Sequence, residues 1–418
     1  MLNTTTLEAP KSLNGLQKTA KGIAFNCLYK LEIGCLTVIE SFAQSGGVGK
    51  QVGERFGKPT KGEPSAIIEV KHPEFYRRLL QGGSIAAGEA YMDGWWDSPD
   101  LSALMELMAI NMAALDSIED KSSLLTRILY KLGHWVNRNT LAQSRENIQA
   151  HYDLGNDLYE TFLDERMLYS SGIYATPADT LEQAQINKME RLCQQLKLKS
   201  TDQVMEIGTG WGGMAIYMAK QYGCHVTTTT ISDEQYQYAA EQVERAGLTD
   251  KITLLKQDYR LLEGQYDKLV SIEMIEAVGK QFLVSYLKKC QSLLKPRGLM
   301  AIQAITIADQ RYDYYADNVD FIQKYIFPGG FLPSITALTS HATQNTDLVV
   351  RDLFDIGADY ARTLVDWRQR FELSLEKVKA LGYDERFIRM WRYYFCYCEG
   401  GFRAQSISTV HLTFQRGL

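Results

Sequence analysis

The apolar positions in the middle of the chain occur in short runs separated by amphipathic stretches. Runs rich in aliphatic and β-branched residues predict strands at 203–207, 225–231, 252–255, 266–272 and 298–305. Helical spacing between these runs predicts helices at 214–221, 233–246 and 280–294. Strands that alternate with helices are typical of a mostly parallel, doubly wound sheet. The pattern therefore predicts an α/β fold for this part of the chain.

The N-terminal part follows a different pattern. Alternating apolar residues predict strands at 35–40 and 66–70, and helical spacing predicts helices at 72–80 and 102–115. Glycine-rich stretches at 46–50 and 53–59 predict turns. Residues 1–20 are polar and lack the apolar core of a secretory signal, so we expect a disordered leader there. The sequence thus predicts a small α+β unit before the α/β part.

The segment between the two parts is strongly basic. Residues 121–145 contain five Lys and Arg residues and no acid, with apolar residues and Trp135 at helical spacing. A basic amphipathic helix with a tryptophan suits an anionic lipid surface. An interdomain helix with a solvated basic face explains the pattern equally well, and both interpretations stay open.

Composition limits the classes of protein to consider. A length of 418 residues favours two or three domains, and 45 Lys+Arg against 50 Asp+Glu give a net charge of −5, which argues against a globally basic nucleic-acid binder. The seven cysteines are scattered and form no zinc-type pair, so we expect a reducing compartment and no metal. No apolar run is long enough to span a bilayer, so membrane contact should be peripheral.

The most specific local motif is EIGTGWGG at 206–213, directly after the first predicted strand of the α/β part. Glycines allow a tight strand-to-helix turn and let a ligand approach the backbone at the carboxyl end of the strand. A dinucleotide site would favour an acid after the second strand, which instead ends at Thr229-Thr230. The motif resembles that of class I S-adenosylmethionine (SAM) methyltransferases; a dinucleotide turn or a structural turn remains open. Asp258, after the third strand, could accept a hydrogen bond from adenine or cap the next turn.

Two further segments carry candidate chemistry. Glu273 and Glu276 follow the fourth predicted strand, where an acid serves either catalysis or the start of a helix. Gln303 is a polar residue inside the apolar fifth strand and must find partners if it is buried. Many aromatic residues lie beyond this strand, which favours an apolar pocket or the lining of a cationic intermediate over an ordinary core.

Taken together, the motifs resemble the cyclopropane-fatty-acyl-phospholipid synthase family, which includes the mycolic acid cyclopropane synthases. The resemblance covers about residues 30–418. The matching stretches are GEAYMDGWWD at 88–97, HYDLGNDLY at 151–159, YSSGIY at 169–174, EIGTGWGG at 206–213, TISDEQ at 230–235, QDYR at 257–260, KYIFPGGFLPS at 324–334, GADY at 357–360 and GGFRA at 400–404.

The resemblance implies a Rossmann-like class I SAM methyltransferase domain with a smaller N-terminal α+β lipid-binding domain. We expect a disordered leader at 1–20, the lipid-binding domain at 21–118, a basic linker helix at 119–146 and the catalytic domain at 147–418. An acyl-binding insertion is expected at about 309–400.

The family reaction implies how the site residues would act. The SAM methyl group is transferred to a cis double bond of a phospholipid acyl chain, and a bound bicarbonate ion takes a proton from the added methyl as the carbocation closes to a cyclopropane. By position, the expected SAM contacts are Tyr169, Ser170, Gly208, Gly210, Thr230, Gln235 and Asp258. The expected catalytic residues around the bicarbonate ion are Ser171, Glu276, Gln303, Ile305 and Tyr360.

Three positions depart from the family pattern. Ser171 replaces a common Cys, Ala277 replaces a frequent His, and Gln303 replaces a common His. Because Gln donates a hydrogen bond but takes no proton near neutral pH, the Gln303 departure puts the product in doubt. Methylation without ring closure, N-methylation of a small amine and a non-catalytic lipid-binding role are the alternatives.

The resemblance also implies where the protein acts and on what. We expect a cytoplasmic protein that is peripheral on the inner face of the membrane. Its expected partner is a phospholipid bilayer surface with unsaturated acyl chains, without nucleic acid, and a homodimer remains open. Double-bond position and head-group preference do not follow from the sequence.

Overall fold

The computed structural model describes residues 12–43, 53–113, 115 and 154–418. The basic segment 119–146, residues 1–11 of the expected leader and residues 151–153 of the HYDLGNDLY motif lie outside the described residues. Within the described part of the chain, no helix combines the length and the apolar character that crossing a bilayer requires.

The helices and strands are numbered here in chain order. The strands are β1 (Cys35–Glu40), β2 (Glu54–Gly57), β3 (Ser65–Val70), β4 (Trp96–Asp97), β5 (Gln203–Ile207), β6 (His225–Thr230), β7 (Ile252–Lys256), β8 (Tyr266–Ile272), β9 (Leu294–Ile307), β10 (Val349–Asp355) and β11 (Ile407–Gln415). The α-helices are α1 (Gly15–Leu28), α2 (Phe75–Met92), α3 (Leu101–Ile110), α4 (Asn156–Tyr159), α5 (Leu181–Leu196), α6 (Gly213–Tyr222), α7 (Asp233–Arg245), α8 (Leu283–Leu293), α9 (Tyr312–Ala316), α10 (Phe321–Tyr325), α11 (Ile335–Asn345), α12 (Gly357–Leu373), α13 (Leu375–Ala380) and α14 (Glu385–Arg403). Short 3-10 helices occur at Ser41–Ala43, Tyr259–Leu261, Ile275–Ala277, Lys280–Phe282 and Asp309–Arg311.

The chain forms two compact units. The first unit consists of Met1–Leu132 and Tyr383–Ser406, and the second of Gly133–Gly382 and Ile407–Leu418. The expected division placed 147–418 in one catalytic domain. The structure differs, because α14 belongs to the first unit although it is encoded near the end of the chain.

The first unit contains a four-stranded sheet in the order β2-β1-β3-β4. The two strands predicted in this unit are confirmed as β1 and β3, which pair in parallel, and β2 pairs with β1 in antiparallel fashion. The turn predicted at 53–59 is therefore wrong for Glu54–Gly57. Phe56 explains the strand, because its buried ring packs edge-on against Phe25 at 4.8 Å between ring centroids.

Two helices of the first unit depart from the sequence-based boundaries. Helix α1 begins at Gly15, inside the expected leader, because Asn14 and Gln17 form a reciprocal capping box at its start. Helix α2 runs to Met92 and does not end at the Gly82-Gly83 pair. Gly83 breaks the helical geometry there with φ 59°, a value that glycine tolerates, and the helix then continues.

Helix α14 is fixed inside the first unit by buried polar and aromatic contacts. The Ser102 hydroxyl donates a 2.6 Å hydrogen bond to the fully buried Glu399 carboxylate, and Tyr393 packs on Tyr91 at 5.6 Å. The expectation that the aromatic residues at 391–395 belong to an acyl-binding insertion of the catalytic domain is therefore wrong. They lie in the core of the first unit.

The second unit contains a seven-stranded sheet in the order β10-β11-β9-β8-β5-β6-β7. All five strands predicted for the α/β part are confirmed as β5 to β9, and they pair in parallel. Apolar clusters cover both faces of this sheet, so its strands read as apolar runs instead of alternating ones.

The last two strands of this sheet were not predicted. Strand β11 lies between β9 and β10 and is antiparallel to both. It carries polar Thr409, His411 and Thr413 among apolar residues, and nearly all of it is buried. Polar and apolar residues alternate strictly from Thr409 to Gln415, a period-2 pattern that itself indicates a strand. Because both faces of the strand are covered, Thr409, His411 and Thr413 are buried as well as the apolar residues.

Candidate active site

The glycine-rich turn lies at the carboxyl end of β5, as predicted. Gly208, Gly210 and Gly212 have φ values of 101°, 53° and 94°, which residues with a side chain rarely adopt. The amides of Gly208 and Thr209 both donate to the Thr229 carbonyl, so the turn is tied to the neighbouring strand β6. A Cβ atom at Gly210 would meet nothing within 4 Å, which leaves room at this backbone for a ligand.

The next strand ends bring further predicted SAM contacts to the same edge of the sheet. Thr230, at the end of β6, donates through its hydroxyl to Gln235 Oε1 at 2.9 Å, and both residues are buried. Asp258, after β7, accepts from the Arg260 amide at 2.9 Å and pairs with its guanidinium at 2.6 Å. The capping interpretation of Asp258 is thus realised, and its contact with adenine stays a prediction.

Tyr169 and Ser170 enter the site from the segment before α5. The Tyr169 ring packs against Trp367 at 5.2 Å and stacks near Phe327 at 6.1 Å. Ser170 accepts a 2.6 Å hydrogen bond from the ammonium group of Lys188 on α5. Burial lowers the pKa of Lys188 to about 8, although the acidic groups of Glu273 and Asp164 act in the opposite direction.

The Glu273 carboxylate lies at the centre of three hydrogen-bond donors. Oε1 accepts from the Ser171 amide at 3.0 Å and from the Gln303 side-chain amide at 2.7 Å. Oε2 accepts from the Tyr360 hydroxyl at 2.9 Å. These donors come from the segment before α5, from β9 and from α12, and they meet where β8 ends. Ser171, Gln303 and Tyr360 are therefore brought together as expected, but around Glu273.

The Glu276 carboxylate has different surroundings from those expected. Its Oε1 accepts from the Ile305 amide at 2.5 Å, and its buried Oε2 has no hydrogen-bond partner among the described residues. Burial, followed by repulsion from Glu273, raises the pKa of Glu276 to about 8. The expected grouping of Glu276 with Ser171, Gln303 and Tyr360 is thus split into two neighbouring sets.

The surroundings of the two carboxylates therefore differ in how well they stabilise a negative charge. Burial raises the pKa of Glu273 as well, but the Ser171 amide, Gln303, Lys188 and Tyr360 all act against that rise. For Glu276, backbone hydrogen bonds act against the rise, and repulsion from Glu273 adds to it. Two neighbouring buried acids with raised pKa values and different hydrogen-bond partners are typical of a catalytic site.

Sequence reasoning missed three residues of this cluster as site members. Glu273 was noted as one of two acids and could have been chosen from its position directly after β8. Lys188 lies on an amphipathic helix where a buried lysine gives no pattern signal. His411 contacts Gln303 from β11, a strand that was not predicted.

An aromatic wall adjoins the carboxylates. Tyr360 packs edge-on against the buried Trp367 at 5.9 Å, and Trp367 contacts Tyr169. Aromatic faces attract cations, and a wall of this kind beside a carboxylate suits a sulfonium group or a carbocation. The site therefore combines a backbone turn for a ligand, a buried base and a cation-stabilising surface.

Comparison with known proteins identifies the family of this chain. A family model described as Mycolic acid cyclopropane synthetase matches residues 139–412. The cyclopropane-fatty-acyl-phospholipid synthase of Escherichia coli (strain K12) is 38% identical over 374 residues, which cover 87% of this chain and 91% of that protein. The tuberculostearic acid methyltransferase UfaA1 of Mycobacterium tuberculosis is 37% identical over 358 residues, with 81% of each chain covered. Among solved structures, mycolic acid cyclopropane synthase CmaA1 complexed with SAH and CTAB matches with a TM-score of 0.60 at 26% identity, covering 65% of this chain and 98% of that chain.

The strand order and the glycine turn define a class I SAM-dependent methyltransferase, with the smaller α+β unit carried on the same chain. The extent of the sequence matches takes the assignment one step further. The chain belongs to the cyclopropane synthase family, and the resemblance stated from its motifs is confirmed.

Proposed function

We propose that the protein transfers the SAM methyl group to a cis double bond of a phospholipid acyl chain and closes a cyclopropane ring, with Glu273 as the base. The observation that carries this proposal is the set of three donors around the Glu273 carboxylate. They orient the buried Glu273 carboxylate beside an aromatic wall and favour its charged form against the opposing effect of burial. A base is needed there because ring closure requires that the added methyl group lose a proton.

The substrate class rests on the relatives. The protein of Escherichia coli that is named for the fatty acyl chain of a phospholipid matches over 87% of this chain, which includes most of the first unit. A SAM methyltransferase domain alone would not require that extra unit. We therefore assign lipid binding to the first unit and the methyl transfer to the second.

SAM supplies an electrophilic methyl group when it is bound. Gly208 and Gly210 would let its methionine part approach the backbone, and Thr230, Gln235 and Asp258, at the next strand ends, would hold its adenosine part. Tyr169 and Trp367 would face the cationic centre. The alkene would supply the electron pair for the new bond to that methyl carbon, with the demethylated cofactor as the leaving group. The substrate carbocation then loses a methyl proton to Glu273 Oε, and the electrons of that C–H bond close the ring.

A bicarbonate ion does not fit the donors in this arrangement. The Ser171 amide, the Gln303 amide and the Tyr360 hydroxyl are all directed at the Glu273 carboxylate, which carries the same charge as bicarbonate. A second anion at this place would meet two buried carboxyl groups, Glu273 and Glu276, with Lys188 as a facing cation. We therefore derive no step through bicarbonate, and Glu273 takes over the role expected for it.

Lipid analysis of cells that express the protein tests the reaction. A cyclopropane product is heavier than its substrate by one CH₂ unit and lacks the proton resonances of the original alkene. Mass spectrometry together with proton NMR should show both features. Unchanged lipids, despite folded protein that binds SAM, would refute the proposed reaction.

Glu273 variants test the base. We expect Glu273→Gln to lower kcat by about 100-fold or more, since a positioned base contributes on this scale, while SAM affinity stays within about threefold. Glu273→Gly would free the three donors, and added bicarbonate should then restore part of the activity. The unaltered protein should work equally well in CO₂-depleted buffer. If it instead requires bicarbonate, the assignment of Glu273 as base is wrong.

A methyl-branched product is the second candidate. The methyltransferase UfaA1, which is named for tuberculostearic acid, is nearly as similar to this chain as the Escherichia coli synthase. In that case the carbocation would lose a proton from a carbon other than the ring-forming methyl, and unsaturation would remain. Retained alkene proton signals in the heavier lipid would identify this outcome.

Membrane association is part of the proposal because the acyl chain lies in a bilayer. We propose a peripheral protein on the cytoplasmic face, which agrees with the absence of a bilayer-spanning helix among the described residues. Flotation with vesicles of unsaturated anionic phospholipid should carry the full chain to the top of the gradient. Turnover of a soluble amine without vesicle binding would favour the N-methyltransferase alternative.

A further inference from the structure

The side chain of Gln303 has a second polar neighbour, on the side opposite Glu273. His411 lies directly across from Gln303 in the antiparallel pairing of β9 and β11. Its Nε2 atom is 2.8 Å from Gln303 Oε1, and both residues have 0% exposed surface. The Gln303 amide therefore joins His411 to the Glu273 carboxylate through two consecutive hydrogen bonds.

The contacts of Gln303 fix which way its amide points. Its Nε2 lies 2.7 Å from Glu273 Oε1 and 3.2 Å from the Ser171 carbonyl oxygen, and the carbonyl oxygen can only accept a hydrogen bond. Rotation of the amide by 180° would place an oxygen against two oxygens. Nε2 must therefore face Glu273, and Oε1 must face His411.

This orientation in turn decides where the histidine proton lies. Because Gln303 Oε1 can only accept, the contact with His411 is a hydrogen bond only if Nε2 of the ring carries the proton. Nδ1 is then the unprotonated nitrogen, and it has no hydrogen-bond partner among the described residues. Burial, with Arg191 and Lys188 acting in the same direction, lowers the pKa of His411 to about 3, so the ring stays neutral.

We propose that His411 is a positioning residue: in its neutral Nε2–H tautomer it holds the Gln303 amide so that Gln303 donates to Glu273. Without His411, Oε1 would be a buried acceptor lacking a partner, and the amide would be free to leave Glu273. Its role would be to orient the donor that keeps the base charged, without touching substrate. This inference rests on the proposed role of Glu273 for its effect on activity, whereas the tautomer itself does not depend on that role.

Spectroscopy tests the tautomer independently of activity. In protein labelled with ¹⁵N-histidine, long-range proton–nitrogen correlation spectra distinguish the two neutral ring forms. His411→Phe identifies the signal of His411 by its loss. We expect an Nε2–H ring that does not titrate between pH 5 and 9. An Nδ1–H ring, or a ring that titrates in this range, would overturn the proposal.

Kinetics tests whether His411 acts through Gln303. We expect His411→Phe to lower kcat at least 10-fold with an unchanged SAM dissociation constant, and His411→Gln, which retains a donor, to recover most of the loss. In a Gln303→Met background, His411→Phe should change kcat less than twofold. A full additional loss in that background, or no recovery with His411→Gln, would refute action through Gln303.

The pH profile supplies the last readout. Glu273 is faced by Lys188 from α5, Tyr360 from α12 and Glu276 from the adjoining 3-10 helix, and His411 is faced by Lys188 and Arg191. His411→Phe leaves all these groups in place but loosens one donor, so the acidic limb of kcat should move to higher pH. An unmoved limb would contradict the proposal. If the tautomer is as expected while Glu273→Gln retains full activity, the proposed base fails and the positioning of Gln303 stands.

Discussion

Lys188 donates a hydrogen bond from its ammonium group to the Ser170 hydroxyl across 2.6 Å, and neither side chain reaches solvent. A lysine fully buried in this way destabilises the fold in its charged form, and its pKa is lowered to about 8 from the usual 10.5. It nevertheless supplies a cation that faces Glu273. Lys188 therefore lowers the stability of the folded protein, while its positive charge favours the ionised form of Glu273.

This lysine predicts a pH dependence of stability. Between pH 8 and 10.5 the unfolded chain binds the Lys188 proton and the folded chain has released it. The destabilisation caused by burying the charged lysine therefore decreases as the pH rises. Lys188→Met should therefore be stabilising relative to wild type by up to about 3 kcal/mol at pH 7.5, and this advantage should shrink toward pH 10. Urea unfolding at both pH values measures it. Lys220→Met, at an exposed position of α6, is the control for the loss of one charge; an advantage that is equal at both pH values would contradict the prediction.

Glu276→Gln should have a mild effect on activity. Because the pKa of Glu276 is about 8, the residue is mostly neutral at pH 7, and glutamine keeps the acceptor for the Ile305 amide. We expect kcat at pH 7 to stay within about threefold of wild type, in contrast to the roughly 100-fold loss for Glu273→Gln. Parallel kinetics of the two variants checks this, and equal losses would show that the two carboxylates share one role.

The same variant should change stability with pH. Glu276 ionises near its ordinary value in the unfolded chain and only near pH 8 in the folded protein. The wild type therefore loses stability relative to Glu276→Gln as the pH rises from about 4.5 to 8. Unfolding free energies at pH 5 and pH 8 give the comparison, and a constant difference would contradict the raised pKa.

Two glycines of the turn should separate ligand binding from folding. A Cβ atom at Gly213 would lie 2.8 Å from the Arg166 carbonyl oxygen, so we expect Gly213→Ala to lower stability by about 1–3 kcal/mol. At Gly210 the space is open, and alanine there costs only about 1 kcal/mol of backbone strain. If SAM lies against this backbone, Gly210→Ala should weaken its binding at least 10-fold. Calorimetric titration and thermal unfolding check both, and unchanged SAM affinity would remove Gly210 from the binding site.

The crossing of α3 and α14 predicts a sensitive position in the first unit. A Cβ atom at Gly400 would lie 2.5 Å from Met105 Cβ and 2.6 Å from the Glu106 amide nitrogen, so the helices would have to separate. We expect Gly400→Ala to cost about 1–3 kcal/mol. Gly22→Ala, at an exposed and open position of α1, is the matched control and should stabilise by up to about 1 kcal/mol. Similar melting temperatures for the two variants would contradict the tight crossing.

The elements predicted correctly from sequence are those with a local signal. Strands β5 to β9 are apolar runs bounded by turns, and the EIGTGWGG motif marks the strand end that needs positive φ angles. Strand β11 was missed although its polar and apolar residues alternate from Thr409 to Gln415. The sequence could not show that its threonines and His411 are buried, because their burial depends on neighbours far away in the chain. The assignment of α14 failed for a related reason: an aromatic-rich helix carries no information about which unit it will pack against.

The candidate site likewise has a part that could be predicted from the sequence and a part that could not. The positions of Ser171, Gln303 and Tyr360 were predicted together from the family resemblance, and the structure confirms that they meet. Which carboxylate they surround depends on the chain direction after β8, where Glu273 adopts φ 47°. Such a positive φ angle at a residue with a side chain is uncommon, and no pattern of residue types predicts it.

The position of α14 and β11 at the end of the chain bears on how the protein is made. Domains generally fold one after another as the ribosome releases them, beginning with the N-terminal one. The first unit includes α14 and the large sheet includes β11, and both of these elements follow Tyr383 in the chain. Neither unit is complete until the segment after Tyr383 has been synthesised. A translation product that stops before Tyr383 therefore lacks an element of both units, so a single truncation would impair both at once.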